Sequence, residues 1–149
     1  MGENVISDRA PEPVGAYPHA KRVAFEPSGA GGLLFLSGIG PRTRGSKEIP
    51  GVTLDADGRV ASYDIAAQCL AVFENVRTVL EDAGATWNDI VDVTVFLTNL
   101  RDDFAVFNRL YAEHFAGEGK PNPTRTTVEV NRLPTPIAVE LKIIAAVRA

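Results

Sequence analysis

The stretch Val91-Asp92-Val93-Thr94-Val95-Phe96-Leu97-Thr98-Asn99-Leu100 sets the architecture of this chain. Successive residues of a strand point to opposite faces, and here Val91, Val93, Val95 and Leu97 alternate with Asp92, Thr94, Phe96 and Thr98. One face is built for a core, while the other is polar with an aromatic in it. Such a strand belongs in a sheet covered on one side, and the flanking sequence supplies the cover. Upstream, across residues 63–83, Ile65, Cys69, Val72, Phe73, Val76 and Leu80 recur at three- and four-residue intervals. That period predicts an amphipathic helix, with Ser62 capping its start and Gly84 its end. Downstream, a second helix begins near Asp102, with Phe104, Phe107, Tyr111 and Phe115 on one stripe and Gly117 beyond it.

Further out, residues 21–25 and 33–37 are short β-prone runs separated by Glu26-Pro27-Ser28-Gly29-Ala30-Gly31-Gly32, a cluster able to close a hairpin. Two more strands, 125–130 and 137–147, complete the order β-β-α-β-α-β-β. Both helices lie between strands, so right-handed crossovers place them on one face of a single mixed sheet. The first eighteen residues, rich in proline, read as an extended arm. Residues 39–58 form a long loop with a small hairpin at Asp57-Gly58, and loops of that length inside a compact domain are often functional.

At 149 residues, 45% hydrophobic and 23% charged, the chain supports one domain over 1–149 with an ordinary core. One cysteine, Cys69, can form no intrachain bridge, and on the apolar helix face it reads as a buried small hydrophobe. Two histidines far apart, His19 and His114, offer no metal cluster. His114, near a helix end, reads as a partner of the helix dipole. The net charge of −4 argues against a nucleic-acid partner, and no stretch approaches a membrane span or a secretory signal. The expectation is a cytoplasmic protein with no metal and no cofactor.

Parity extends the opening observation. It assigns Val91, Val93, Val95, Leu97, Thr126, Val128, Val130, Ile137, Val139, Leu141 and Ile143 to the covered face. Asp92, Thr94, Phe96, Arg125, Thr127, Glu129, Glu140 and Lys142 fall on the open one. With Phe96, Ile144 and Ala146 among its charges, the open face suits contact with neighbouring subunits. Arg125 and Glu140 would then share a face, offering a carboxylate-binding cation beside an acid/base carboxylate. The ordinary alternative is a surface salt bridge worth about 0–1 kcal/mol.

The residues also carry a resemblance over nearly the whole chain. Ala10-Pro11, Gly15-Ala16-Tyr17, Leu34-Phe35-Leu36-Ser37-Gly38, the helix end from Asn75 to Gly84, Val95-Phe96-Leu97 and Phe107-Asn108 take part in it. Its most specific block is Pro123-Thr124-Arg125-Thr126-Thr127-Val128-Glu129-Val130, followed by Leu133-Pro134 and Val139-Glu140-Leu141. The chain resembles the Rid family of reactive intermediate deaminases, also called YjgF. The resemblance implies a chorismate-mutase-like α+β fold assembling as a homotrimer, with a central barrel and active sites between subunits. It implies Arg125 as the carboxylate-binding arginine and Glu140 as the water-positioning glutamate. Tyr17, Ser37, Gly38 and Asn108 would line the same cleft, with Thr127 where many relatives carry cysteine.

Segment 40–52 is similar to that of 2-aminomuconate deaminases of tryptophan and aromatic catabolism. The implied reaction is hydrolysis of this enamine dicarboxylate to 4-oxalocrotonate and ammonia. Its second carboxylate would take Arg42, Arg44, Lys47 or His19. The alternatives are a broad-specificity 2-iminoacid deaminase and a non-catalytic, ligand-binding or chaperone-like protein.

Overall fold

The computed structural model describes residues 2–148. Its strands are β1 (Glu3–Val5), β2 (Ala20–Ala24), β3 (Gly32–Leu36), β4 (Val52–Leu54), β5 (Val60–Tyr63), β6 (Ile90–Leu97), β7 (Thr124–Glu129) and β8 (Val139–Val147). The helices are α1 (Ile65–Asp82) and α2 (Leu100–Phe115), with a 3-10 turn at Trp87–Asp89. Six strands form a mixed sheet in the order β1-β2-β3-β8-β6-β7, antiparallel except for the parallel pair β6 and β7. The expected β-β-α-β-α-β-β order is the centre of this fold. Two features extend it: the arm contributes β1, paired with β2, and β4 and β5 form a separate two-stranded sheet. The hairpin expected at Asp57-Gly58 is the turn of that small sheet, where Gly58 donates its N–H to the Asp55 carbonyl at 3.0 Å.

Both helices cover one face. Cys69, Val72, Phe73, Val76 and Leu80 of α1 pack in one core with Phe107 and Phe115 of α2 and with Val93, Val95, Leu97, Leu141 and Ile143 of the sheet. Each large apolar side chain so buried contributes about 1.5–3 kcal/mol. Asp64, not Ser62, caps α1, its side chain accepting the Ala67 N–H at 3.2 Å. Gly84 follows the last turn in the left-handed region (φ 73°), as expected of a helix terminator. Asn99 caps α2.

The lone tryptophan, Trp87, closes the far end of the core. Its indole N–H donates to the His114 carbonyl at 3.0 Å, Phe73 and Phe115 flank it at 6.1 and 4.5 Å, and the Arg77 guanidinium lies 4.7 Å from its ring centre. Burial, with Lys120 and Arg77 nearby, holds the His114 imidazole below its usual range. That favours the neutral ring and weakens the helix-dipole partnership expected of His114 in the last turn of α2.

Two parity assignments are corrected. A bulge between Ile90 and Asp92 turns Ile90 into the core and leaves Val91 42% exposed. In β7 the register pairs Arg125 with Val93, Thr127 with Val95 and Glu129 with Leu97, so these three lie on the helix-covered face. Thr126 and Val128 take the open face instead, opposite Thr94 and Phe96. Glu140 pairs with Phe96 and keeps the open face as expected. Among the described residues no helix is long and apolar enough to cross a membrane.

Candidate active site

Immediately after β3 the chain runs Ser37-Gly38-Ile39 against β8. Ile39 and Leu141 exchange both backbone hydrogen bonds, at 2.8 and 2.9 Å. This bridge brings Gly38 against the side chain of Glu140. A Cβ on Gly38 would collide with the Glu140 carboxyl, whose carbon would lie 2.8 Å away. Only glycine admits this approach. Burial pushes the Glu140 carboxyl above the ordinary carboxylate range, and the charge of Arg42 partly offsets the rise.

Around Glu140 opens a cleft of about 380 Å³. It is lined by Gly38, Gly40 and Arg42, by Pro134, Thr135 and Ile137, and by Val14 and Tyr17 of the arm. Lys142 lines it too, its ammonium donating to the Leu36 carbonyl at 3.0 Å. It stands two residues from Glu140 on β8 and therefore shares its face. That spacing was the available signal for a residue not selected as a site candidate from sequence.

Ser37 lines the cleft, but its donors point elsewhere. Its hydroxyl donates to the Pro18 carbonyl at 2.7 Å and its N–H to the His19 carbonyl at 2.9 Å, which fixes the arm and leaves neither for a ligand. The Tyr17 hydroxyl accepts the Val14 N–H at 3.2 Å, folding the arm tip against the cleft.

Arg125 and Asn108 form a second group on the other face of the sheet. Arg125 Nη1 donates to Asn108 Oδ1 at 2.8 Å, and its guanidinium lies 4.6 Å from the Tyr111 ring centre and 5.7 and 5.9 Å from those of Phe107 and Phe104. The four residues come from consecutive turns of α2, so one helix face forms the seat for the arginine. The Thr127 and Tyr111 hydroxyls are buried there without a hydrogen-bond partner. Within one chain, then, Arg125 and Glu140 do not meet.

The remaining candidates attach to the arm. His19 is buried, with Nδ1 accepting the Ser7 N–H at 3.1 Å and Nε2 3.0 Å from the Pro11 carbonyl, so both ring nitrogens are occupied. Arg44 binds the Ala10 carbonyl at 2.8 Å, and Lys47 is exposed on the loop. Of the loop cations, Arg42 alone lines the cleft around Glu140. Cys69 is fully buried and its thiol is pushed up to about 12, which excludes it as a nucleophile at neutral pH.

The family model described as Endoribonuclease L-PSP matches residues 7–147. A RutC family protein of Pyrococcus abyssi is 36% identical over 146 residues, 96% of this chain and 95% of its own. The 2-iminobutanoate/2-iminopropanoate deaminase of Escherichia coli is 30% identical over 148 residues, spanning 99% of this chain and all of that one. Among solved structures, the TdcF protein of E. coli with bound serine matches with a TM-score of 0.76 at 32% identity, over 99% of both chains. Yeast Mmf1 matches with a TM-score of 0.77 at 28% identity over the full length of both.

Proposed function

The chain belongs to the Rid/YjgF family, and from that premise we propose that it hydrolyses 2-imino acids to 2-oxo acids and ammonium. The observation that carries the reading is the Glu140 carboxyl, raised by burial and pressed against the Gly38 backbone inside a cleft. A protonated imine is already electrophilic, so the protein has to orient it, place a water and move protons. Water adds to C2 as Glu140 takes its proton. The resulting carbinolamine regains that proton on nitrogen, the C–N bond breaks, and the hydroxyl gives up its proton as the carbonyl forms, so that the departing ammonia takes it up as ammonium. General-base assistance of this kind contributes typically about 10²–10⁴-fold.

The substrate carboxylate calls for a planar cation, and Arg125 supplies the fork. Because Arg125 and Glu140 lie on opposite faces of their own sheet, the proposed site pairs Glu140 of one copy with Arg125 of a neighbour in a homotrimer. The open face supports such an assembly. It carries Val23, Leu33, Phe35, Phe96, Val128 and Ile144 in facing register, an apolar content unlike that of a solvated face.

The broad 2-imino acid reading leads over 2-aminomuconate. The E. coli relative is named for 2-iminobutanoate and 2-iminopropanoate, which carry one carboxylate, and serine bound to TdcF is likewise a small α-amino acid. A second carboxylate needs a second free cation. Arg44 and His19 are bound to the arm and Lys47 stands on the exposed loop, while Arg42 and Lys142, which line the cleft, each already donate to a backbone carbonyl.

The deciding experiment measures ammonium release from 2-iminopropanoate and 2-iminobutanoate generated in place, and separately from 2-aminomuconate. Turnover of the first two is expected, with Glu140→Gln lowering it by about 10²-fold or more. Faster turnover of 2-aminomuconate would restore the dicarboxylate reading. Release from no imine, with ligand binding retained, would favour a non-catalytic role.

A further inference from the structure

Two arginines of the loop after β3 reach for the arm that walls the cleft. The arm segment Ala10-Pro11-Glu12-Pro13-Val14 has prolines at two of five positions, and a proline has a carbonyl to offer but no N–H. Its neighbours must therefore supply the donors. Arg44 Nη1 donates to the Ala10 carbonyl at 2.8 Å, and Nη2 lies 3.4 Å from the Glu12 carboxylate. Arg42 Nη2 donates to the Glu12 carbonyl at 2.5 Å. The loop that carries these donors is itself fixed, since Asn75 of α1 donates from Nδ2 to the Gly40 and Arg42 carbonyls at 2.9 and 2.8 Å.

Upstream, the arm is anchored a second time. Arg9 and the Ser7 hydroxyl both bind the Asp82 carboxylate at the end of α1. Between that anchor and β2 the chain has one free excursion, the turn bearing Val14 and Tyr17, and this is the part that faces the cleft. Pro134 and Ile137, also apolar, line the same cleft. The cleft thus takes hydrocarbon from the arm as well as from Pro134 and Ile137, and the position of its arm side follows from where the arm is held.

We propose that Arg42 and Arg44 are positioning residues that clamp residues 10–14 across the mouth of the cleft, so that the Val14 and Tyr17 wall selects imino acids by the size of an aliphatic side chain. This rests on the deaminase reading above. Arg44 is the test position because it does not line the cleft around Glu140 and binds only the arm.

In Arg44→Ala the preference for 2-iminopropanoate over 2-imino-4-methylpentanoate, measured as the ratio of kcat/KM values, is expected to fall about tenfold, the scale on which a hydrophobic pocket discriminates methylene groups. Amide hydrogen exchange at residues 8–17 should quicken in the same variant. Arg44→Lys, which keeps the charge as a single point donor, should recover part of the preference. Arg109→Ala, which removes only an exposed helix ion pair with Glu113, serves as the reference. An unchanged ratio in a protein whose wild type deaminates imines would overturn the proposal, as would unchanged exchange in the arm. A wild type that releases ammonia from no imine fails the deaminase reading and the size selection with it. Exchange in Arg44→Ala would then still decide the clamp by itself.

Discussion

Glu140 combines a backbone contact that only glycine permits with burial that opposes ionisation. Both give measurable consequences. Its native pKa stands above its unfolded value, so the folded chain holds this proton more tightly, and the associated stability is full in acid. It is lost as pH rises from the ordinary carboxylate range through the raised value. Glu140→Gln is neutral throughout and escapes this loss. The melting temperature of the variant should therefore gain on wild type as pH climbs through that window; a gap constant with pH would count against the assignment. The acidic limb of kcat/KM should likewise lie above the range of an unperturbed glutamate. Gly38→Ala should leave the fold intact while displacing the carboxyl by a fraction of a side chain, which costs on the order of 10²-fold in turnover. At this scale the sequence was partly legible. Strand alternation places Glu140 and with it Lys142, because β8 runs without a bulge across both. The arm's hold on His19 and Ser37 was not legible, since their partners are carbonyls and N–H groups 8 to 19 residues away across an irregular segment.

The helices were the most legible elements, for each carries an apolar stripe several turns long. Their first residues were less so: Ser62 and Asp64 are both capping residue types, and the strand β5 continues to Tyr63, so the cap falls on Asp64, directly after the strand. Asp64→Ala should destabilise the protein by about 1 kcal/mol, a shift that thermal unfolding at neutral pH would resolve, whereas Ser62→Ala should be close to silent. The strand β7 misleads for a physical reason. Val128 and the following Val130 suggest an inward face, yet β7 is an edge strand whose Arg125 is seated on α2. There an arginine over Tyr111 and Phe107 can rest its hydrocarbon stem against the aromatic seat while its guanidinium keeps donors to offer. Hydrophobicity alone cannot distinguish that solution from an ordinary core position; the ladder register can.

For the whole molecule, the division of Arg125 and Glu140 between two faces makes assembly a requirement of the proposed chemistry. Chains carrying Arg125→Ala and chains carrying Glu140→Gln should each be inactive alone. Mixed by co-expression, about one quarter of the intersubunit sites would combine an intact arginine with an intact glutamate, and activity should return in that proportion. No recovery in mixed oligomers of confirmed composition would show that both groups act from the same chain. The sequence could suggest that the open face is covered, from Phe96, Ile144 and Ala146 among its charges, but a single chain's pattern cannot specify which residues of a second copy complete a site.

Trp87 offers a route into these measurements that needs no label. As the one tryptophan, buried against Phe115 where α1, α2 and the 3-10 turn converge, it is a built-in optical reporter of the helical layer. Its emission should shift to the red in a single step when that layer comes apart. The Glu140 cleft opens on the opposite side of the sheet and the Arg125 seat reaches the indole only through Tyr111 and Phe115, so ligand binding should move the signal far less than loss of the layer does. Fluorescence will therefore follow folding cleanly in every variant above, and occupancy of the site will have to be read by other means.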